Sequence, residues 1–417
     1  MKKIIILSSF LFICITLLAL VHHFRPGMLS MQTPIKVGLL HSVTGTMAEN
    51  EKNLVDMELM TIDEINQAGG VLGRRLVPVI ADGKSDEFEF AEQAERLITQ
   101  EKVSVIIGCW TSSSRKAVKE VVEKHNAILL YPTQYEGIEE SPNIFYLGAT
   151  PNQQIIPAAT WCFNNLGKKF FLIGSDYVFP HVAHKILKLH IASLGGEVVG
   201  EEFVKLGAPV TPQIIQKIIH SKANIICNSI NGPTNISFFK ELFAAGITSE
   251  KIPTMSFSIG EPEIPKLERA SVIGAYCAFM YYQRVNNDIN NEFVKHFQDR
   301  YGKNRAISDP MQSVYSGLYM WTQAVEDAQS LETAPVVAAL KKIVNVSPGG
   351  IIYFDNNHHI WQTASIGKIN FEGQFISVWD SNVQIRPEPF IPYLSKKEWQ
   401  DFLTSLYEGW GKRWSAV

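Results

Sequence analysis

The chain has 417 residues, 46% of them apolar, and a formal net charge of -3. That length suffices for two α/β lobes of ordinary domain size, each with its own core. No basic face stands out from the mixed Lys/Glu pattern, which excludes nucleic acid as an expected partner, and no repeat at solenoid spacing occurs.

Lys2 and Lys3 precede an apolar stretch over 4–21. As a helix it would be about 27 Å long, just short of a hydrocarbon core. Val21-His22-His23-Phe24 offers no small-residue cleavage pattern, and Ile13 stands where a lipoprotein box needs a small residue before Cys14. Residues 1–30 are therefore read as a retained membrane anchor in preference to a cleaved signal peptide. Either reading puts the body on the periplasmic or extracellular side, because the lysines stay inside.

The body then alternates short apolar strands with amphipathic helices. Strands are expected at 35–40, 76–81, 103–108 and 127–131, with helices at 53–68, 88–100 and 114–125 between them. After Thr150-Pro151 the rhythm restarts, with helices at 153–165, 182–194, 212–220 and 234–245 and strands at 170–174, 198–204, 225–228 and 253–257. Such an order implies parallel sheets covered by helices on both faces, in two lobes with a cleft between them. Beyond Ala275 the pattern changes. Helices at 291–301, 311–328 and 334–343 lead into strands at 351–354, 364–371 and 374–379, with hairpin chemistry at Asp355-Asn356-Asn357 and Glu372-Gly373. A last helix is expected at 397–414. Of five cysteines, four lie in the body without CxxC or zinc spacing, and small buried thiols are favoured over disulfides.

Open α/β sheets bind ligands beyond the carboxyl ends of their strands. Here those loops are His41 to Gly45, Cys109 to Ser113, Pro132 to Tyr135 and Ser175 to Phe179, rich in hydroxyls and aromatics and poor in charge. That chemistry suits a small, planar, uncharged amide better than an ion. Three other motifs are set aside. Ser113-Ser114-Arg115-Lys116 matches a serine acyl-enzyme motif without its companion motifs and is read as a helix start. Gly69-Gly70-Val71-Leu72-Gly73 follows a helix, the wrong order for a dinucleotide fingerprint. His181 and His184 lack a third ligand and are read as a solvated helical face, so no metal or cofactor is expected.

Several blocks resemble a known family. Gly108-Cys109-Trp110-Thr111-Ser112-Ser113-Ser114-Arg115-Lys116, Tyr131-Pro132-Thr133-Gln134-Tyr135-Glu136-Gly137 and Ile173-Gly174-Ser175-Asp176-Tyr177-Val178-Phe179-Pro180 are similar to the urea substrate-binding proteins of ABC transporters and the amide sensors of amidase regulation. Ser308-Asp309-Pro310-Met311 and Arg386-Pro387-Glu388-Pro389-Phe390 continue the likeness. The resemblance implies a type I periplasmic-binding-protein fold: two doubly wound parallel-sheet lobes joined by a three-strand hinge. It places lobe 1 at 34–150 and 278–345, lobe 2 at 151–277 and 346–392, and a helical tail at 393–417. Carried over by position, Trp110 and Tyr131 form aromatic walls beside Thr111, Ser112 and Thr133 bind the ligand, and Tyr177 with Phe179 closes from the second lobe. Glu261 adds an acceptor for amide N–H groups. The implied function is capture of urea or a short-chain amide for a membrane permease of the ABC type, not catalysis. A sensor coupled to a membrane or regulatory partner is the alternative, and branched-chain amino-acid binding a further one. Thr133 follows the sensor pattern, whereas the Trp110-Thr111 pair and Leu406 to Gly411 are more like the transporter branch.

Overall fold

The computed structural model describes residues 33–416. The anchor or signal expected at 4–21 lies outside the described residues. Among those described, no helix is long and apolar enough to cross a membrane.

Strands β1 (Ile35–His41), β2 (Leu76–Asp82), β3 (Val105–Gly108), β4 (Leu129–Tyr131) and β5 (Ile144–Tyr146) form the first sheet. Their order is β2-β1-β3-β4-β5, with every neighbouring pair parallel. Parallel neighbours need crossovers, and α1 (Ala48–Gln67), α2 (Glu87–Thr99) and α3 (Ser112–Lys124) supply them. Side chains alternate across the pleat, so Val37 and Leu39 enter one core while Leu40 enters another. Both faces are therefore covered. Asp86 starts α2 by accepting from the N–H groups of Phe88 and Glu89.

The second lobe repeats the plan with α4 (Ile155–Asn165), β6 (Lys169–Ser175), α5 (Val178–Ser193), β7 (Glu197–Val204), α6 (Pro212–Ser221), β8 (Ile225–Ser229), α7 (Thr234–Ala244), β9 (Thr254–Ser256), α8 (Arg269–Val272) and β10 (Tyr276–Phe279). The chain returns to the first lobe as α9 (Asp288–Tyr301), α10 (Asp309–Ala328) and α11 (Thr333–Leu340), whose Phe293, Leu318 and Leu340 join the core of Val37. A separate antiparallel sheet follows, made of β11 (Val344–Ser347), β12 (Gly350–Phe354) and β13 (Ile360–Trp361). The helix expected to reach residue 343 stops at Leu340, because Val344 and Val346 pair with Tyr353 and Ile351 instead. Ile352, Phe354 and Ile360 pack into the first lobe's core, so 346–361 sits with that lobe and not with the second, where it was expected.

Next come β14 (Ser365–Ile369) and β15 (Phe375–Asp380), which extend the second sheet antiparallel to β10, giving β15-β14-β10-β9-β8-β6-β7. The final helix α12 (Lys396–Gly409) begins with a Ser395/Glu398 capping box and ends five residues before the expected 414. Three passages of chain join the lobes: β5 to α4, β10 to α9, and β13 to β14. This is the type I fold.

Candidate functional site

The two sheets meet at the carboxyl ends of β1, β3 and β4 on one side and of β6, β8 and β9 on the other. Gly108 lets the chain leave β3, since a Cβ there would lie 2.0 Å from the Leu40 carbonyl oxygen at a φ of +151. Cys109 follows in the left-handed region at φ 65, a conformation that a residue with a side chain holds only under firm packing. Trp110 then crosses the seam, and its indole N–H donates to Asn231 Oδ1 of the second lobe at 3.2 Å. Tyr131, fully buried at the end of β4, donates its hydroxyl to the Trp110 carbonyl at 2.8 Å. These two expected walls do meet. Tyr177 is buried on the second-lobe side, and burial, with a smaller contribution from Tyr131 and Glu136 of the first lobe, holds its phenol well above the ordinary range. Phe179 sits in the second lobe's core beside it, ring centroids 6.3 Å apart.

The start of α3 is used differently from its expected reading. The cap is Thr111, one residue earlier than the serines, and it accepts from the Ser114 N–H at 3.2 Å. Ser112 donates to Glu136 Oε2 and accepts from the Arg115 guanidinium at 3.0 Å. Arg115 reaches Glu136 at 3.0 Å and Glu139 at 2.9 Å, while Lys116 donates to Glu139 at 2.9 Å. Tyr146 donates to the same Glu139 at 2.9 Å. The Arg115 guanidinium also lies 4.5 Å from the Tyr135 ring centroid. Burial opposes the charge on Glu139, but Arg115 and Lys116 outweigh it and hold the carboxyl well below its ordinary range. Every arm of this network has a partner.

The opposite edge of the seam is not satisfied. Gln134 and Gln154 both donate a carboxamide N–H to the Phe257 carbonyl, at 2.7 and 3.1 Å, and Gln154 also donates to Ala278 at 2.6 Å. Their Oε1 atoms have no hydrogen-bond partner among the described residues, nor do Thr133 Oγ1, Ser258 Oγ and Glu261 Oε2. Thr133 adjoins Gln134, Ser258 adjoins Phe257, and a Cβ on Gly148 would lie 2.1 Å from the Thr133 carbonyl. These orphans thus gather where the hinge passes between the lobes. Glu261 accepts from the Gln283 N–H at 2.8 Å through its other oxygen, and burial pushes its carboxyl up to about 8. Burial likewise raises Glu263 and Asp309 to about 7.

Of the expected residues, the structure brings Trp110, Tyr131, Thr133 and Tyr177 to the seam, with Glu261 at its hinge edge. Thr111 and Ser112 are engaged in the cap and the ionic network. Sequence reading missed Asn231, Gln154 and Ser258. Gln154 was visible only as one of several polar residues after Pro151, and nothing local marks which carboxamide points inward. The His181 and His184 pair is also not a solvated face. His184 is buried between Ser229 Oγ at 2.9 Å and Glu201 at 3.1 Å, and His181 bonds Asp176 at 2.7 Å. The four body cysteines are free and buried.

Known proteins place this architecture. A solute-binding protein of an ABC transporter from Rhodopseudomonas palustris, solved with 3,4-dihydroxybenzoic acid, superposes with a TM-score of 0.78 at 21% identity, covering 85% of this chain and 99% of that one. A Leu/Ile/Val-binding protein of Rhizobium johnstonii is 24% identical over 150 residues, 34% of this chain and 39% of that protein. The limonene hydroxylase of Geobacillus stearothermophilus is 32% identical over 118 residues, 28% of this chain and 22% of that protein. The chain thus spans well under half the length of these curated relatives. The family model for the periplasmic binding protein domain matches residues 35–396. The chain belongs to the periplasmic binding protein family.

Proposed function

We propose that this protein captures urea or a short-chain amide at the seam between its lobes and delivers it to an ABC-type permease. The observation that carries the reading is the character of the orphan atoms. Gln134 Oε1 and Gln154 Oε1 are acceptors, while the Thr133 and Ser258 hydroxyls and the Glu261 carboxyl, which holds its proton up to about pH 8, accept as well as donate. A buried polar atom left unmade costs about 1–3 kcal/mol, so the occupant that completes this set is rich in N–H donors. Urea brings four N–H groups and one carbonyl on a small flat frame.

A carboxylate ligand, such as an amino acid or a benzoate, needs donors or a free cation. The cations nearest the seam, Arg115 and Lys116, are already committed to Glu136 and Glu139. Ligand contacts made from both lobes favour the closed state over the open one, and that population shift is what a permease can read. Calorimetric titration of the body with urea, acetamide, formamide, leucine and 4-hydroxybenzoate tests the proposal. Binding of urea or an amide with the carboxylates silent is the expected result. Binding of leucine or 4-hydroxybenzoate with every amide silent would reassign the pocket.

A further inference from the structure

Beyond α12 the chain makes a second link between the lobes, away from the hinge. Gly411 at φ +69 turns it back, and 413–416 run antiparallel to the loop that follows β6. On the second-lobe side the contacts are main-chain. The Val178 N–H donates to the Trp414 carbonyl at 2.9 Å, the Ala416 N–H to the Asp176 carbonyl at 3.0 Å, and Tyr177 and Ser415 form an antiparallel bridge.

On the first-lobe side the contacts go to side chains. The Trp414 N–H lies 3.1 Å from both oxygens of Glu87, and the Arg413 guanidinium donates to Asp86 at 3.0 Å. Arg413 also stands 4.7 Å over the Phe88 ring, and the Lys116 ammonium 4.8 Å over the Trp414 ring. One residue, Trp414, therefore has its N–H bound to one lobe and its carbonyl to the other. Both anchorages lie at strand carboxyl ends, after β2 and after β6, on the rim that separates when the cleft opens.

We propose that residues 413–416 form a closure latch: a strap carried by the second lobe that docks on Asp86, Glu87 and Lys116 when the lobes shut and biases the protein towards the closed state. The asymmetry of the contacts sets which side lets go. The second-lobe side is a short ladder that travels with Tyr177, whereas the first-lobe side is a set of ionic and cation–π contacts from side chains at the starts of α2 and α3. Because the strap pairs with Tyr177 itself, ligand and latch act on one loop.

The test measures lobe separation without any ligand, so it stands or fails separately from the amide reading. Nitroxide labels at Glu120→Cys and Gln216→Cys, both exposed positions, report the distance between α3 and α6 in the full body. Arg413→Ala and the conservative Glu87→Gln are each introduced, with folding checked by circular dichroism. Both variants are expected to raise the open-to-closed ratio roughly tenfold, the effect of losing one charge-assisted contact specific to one state. A ligand-free parent with no short-distance population, or an unchanged distribution in either folded variant, overturns the latch.

Discussion

The two edges of the interlobe seam are both buried and polar, yet they are built on opposite principles. On the α3 edge, Arg115, Lys116, Glu136, Glu139, Ser112 and Tyr146 saturate one another. On the hinge edge, Thr133, Gln134, Gln154, Ser258 and Glu261 each retain an atom without a partner. A saturated buried network has nothing left to offer a ligand and serves as scaffold, whereas an unsaturated one is completed by what enters. The difference separates rigidity from recognition within one surface.

The largest effect that sharpens this contrast is on stability. Arg115→Ala leaves Glu136 and Glu139 buried without their main counter-charge and is expected to destabilise the fold by about 3–5 kcal/mol, read from denaturant unfolding. A loss under about 1 kcal/mol would mean that the network is not the scaffold. Next, Thr133→Val removes an orphan hydroxyl from the other edge. Ligand affinity should fall about tenfold or more while the unfolding midpoint of the free protein holds or rises, since the free protein loses no bond. A destabilised free variant with intact affinity would reverse the assignment of the two edges.

A smaller effect concerns pH. Burial raises Glu261 to about 8 and Asp309 to about 7, above the unfolded carboxylates, so the folded protein holds protons that the unfolded chain releases. Their contribution is complete below the unfolded values and is lost as pH climbs towards 8. Scanning calorimetry should show the melting temperature declining from pH 5 to pH 8.5, and Glu261→Gln should flatten part of that decline. An unchanged slope in the variant would place its carboxylate in a wetter setting. The smallest effect is on thiol chemistry. Burial raises Cys227 to about 12, and the other three body thiols are raised or equally buried. Native protein should react with a thiol reagent at these four positions only on unfolding. Rapid labelling of any of them in native protein would mean that the lobes breathe more than this packing allows.

Much of this was legible in the residues. Apart from β5, the strand-helix alternation from β1 to β9 follows from hydrophobic period and turn chemistry, which are local, and Tyr131 ends β4 while Trp110, Thr133 and Tyr177 stand in the loops where strand ends meet. Short strands were the failures. β5, with three residues, has no room for a period, and β11, which begins just past the expected helix end at 343, has too few residues to be recognised before its pairing with β12 is known. Ser112 reads as a cap or a ligand group. Its actual partners, Glu136 and Arg115, lie in a loop 24 residues away and one turn along its own helix.

What the sequence determined by itself is the fold class, the loops that meet at the cleft and the neutral, hydroxyl-rich chemistry of those loops, because each depends on neighbours within a few residues. Only the tertiary structure decided which polar atoms remain unpaired, that 346–361 packs with the first lobe, and that 413–416 bridge both lobes. Those outcomes depend on contacts between segments tens to hundreds of residues apart, such as Trp414 with Glu87, and local pattern carries no information about them.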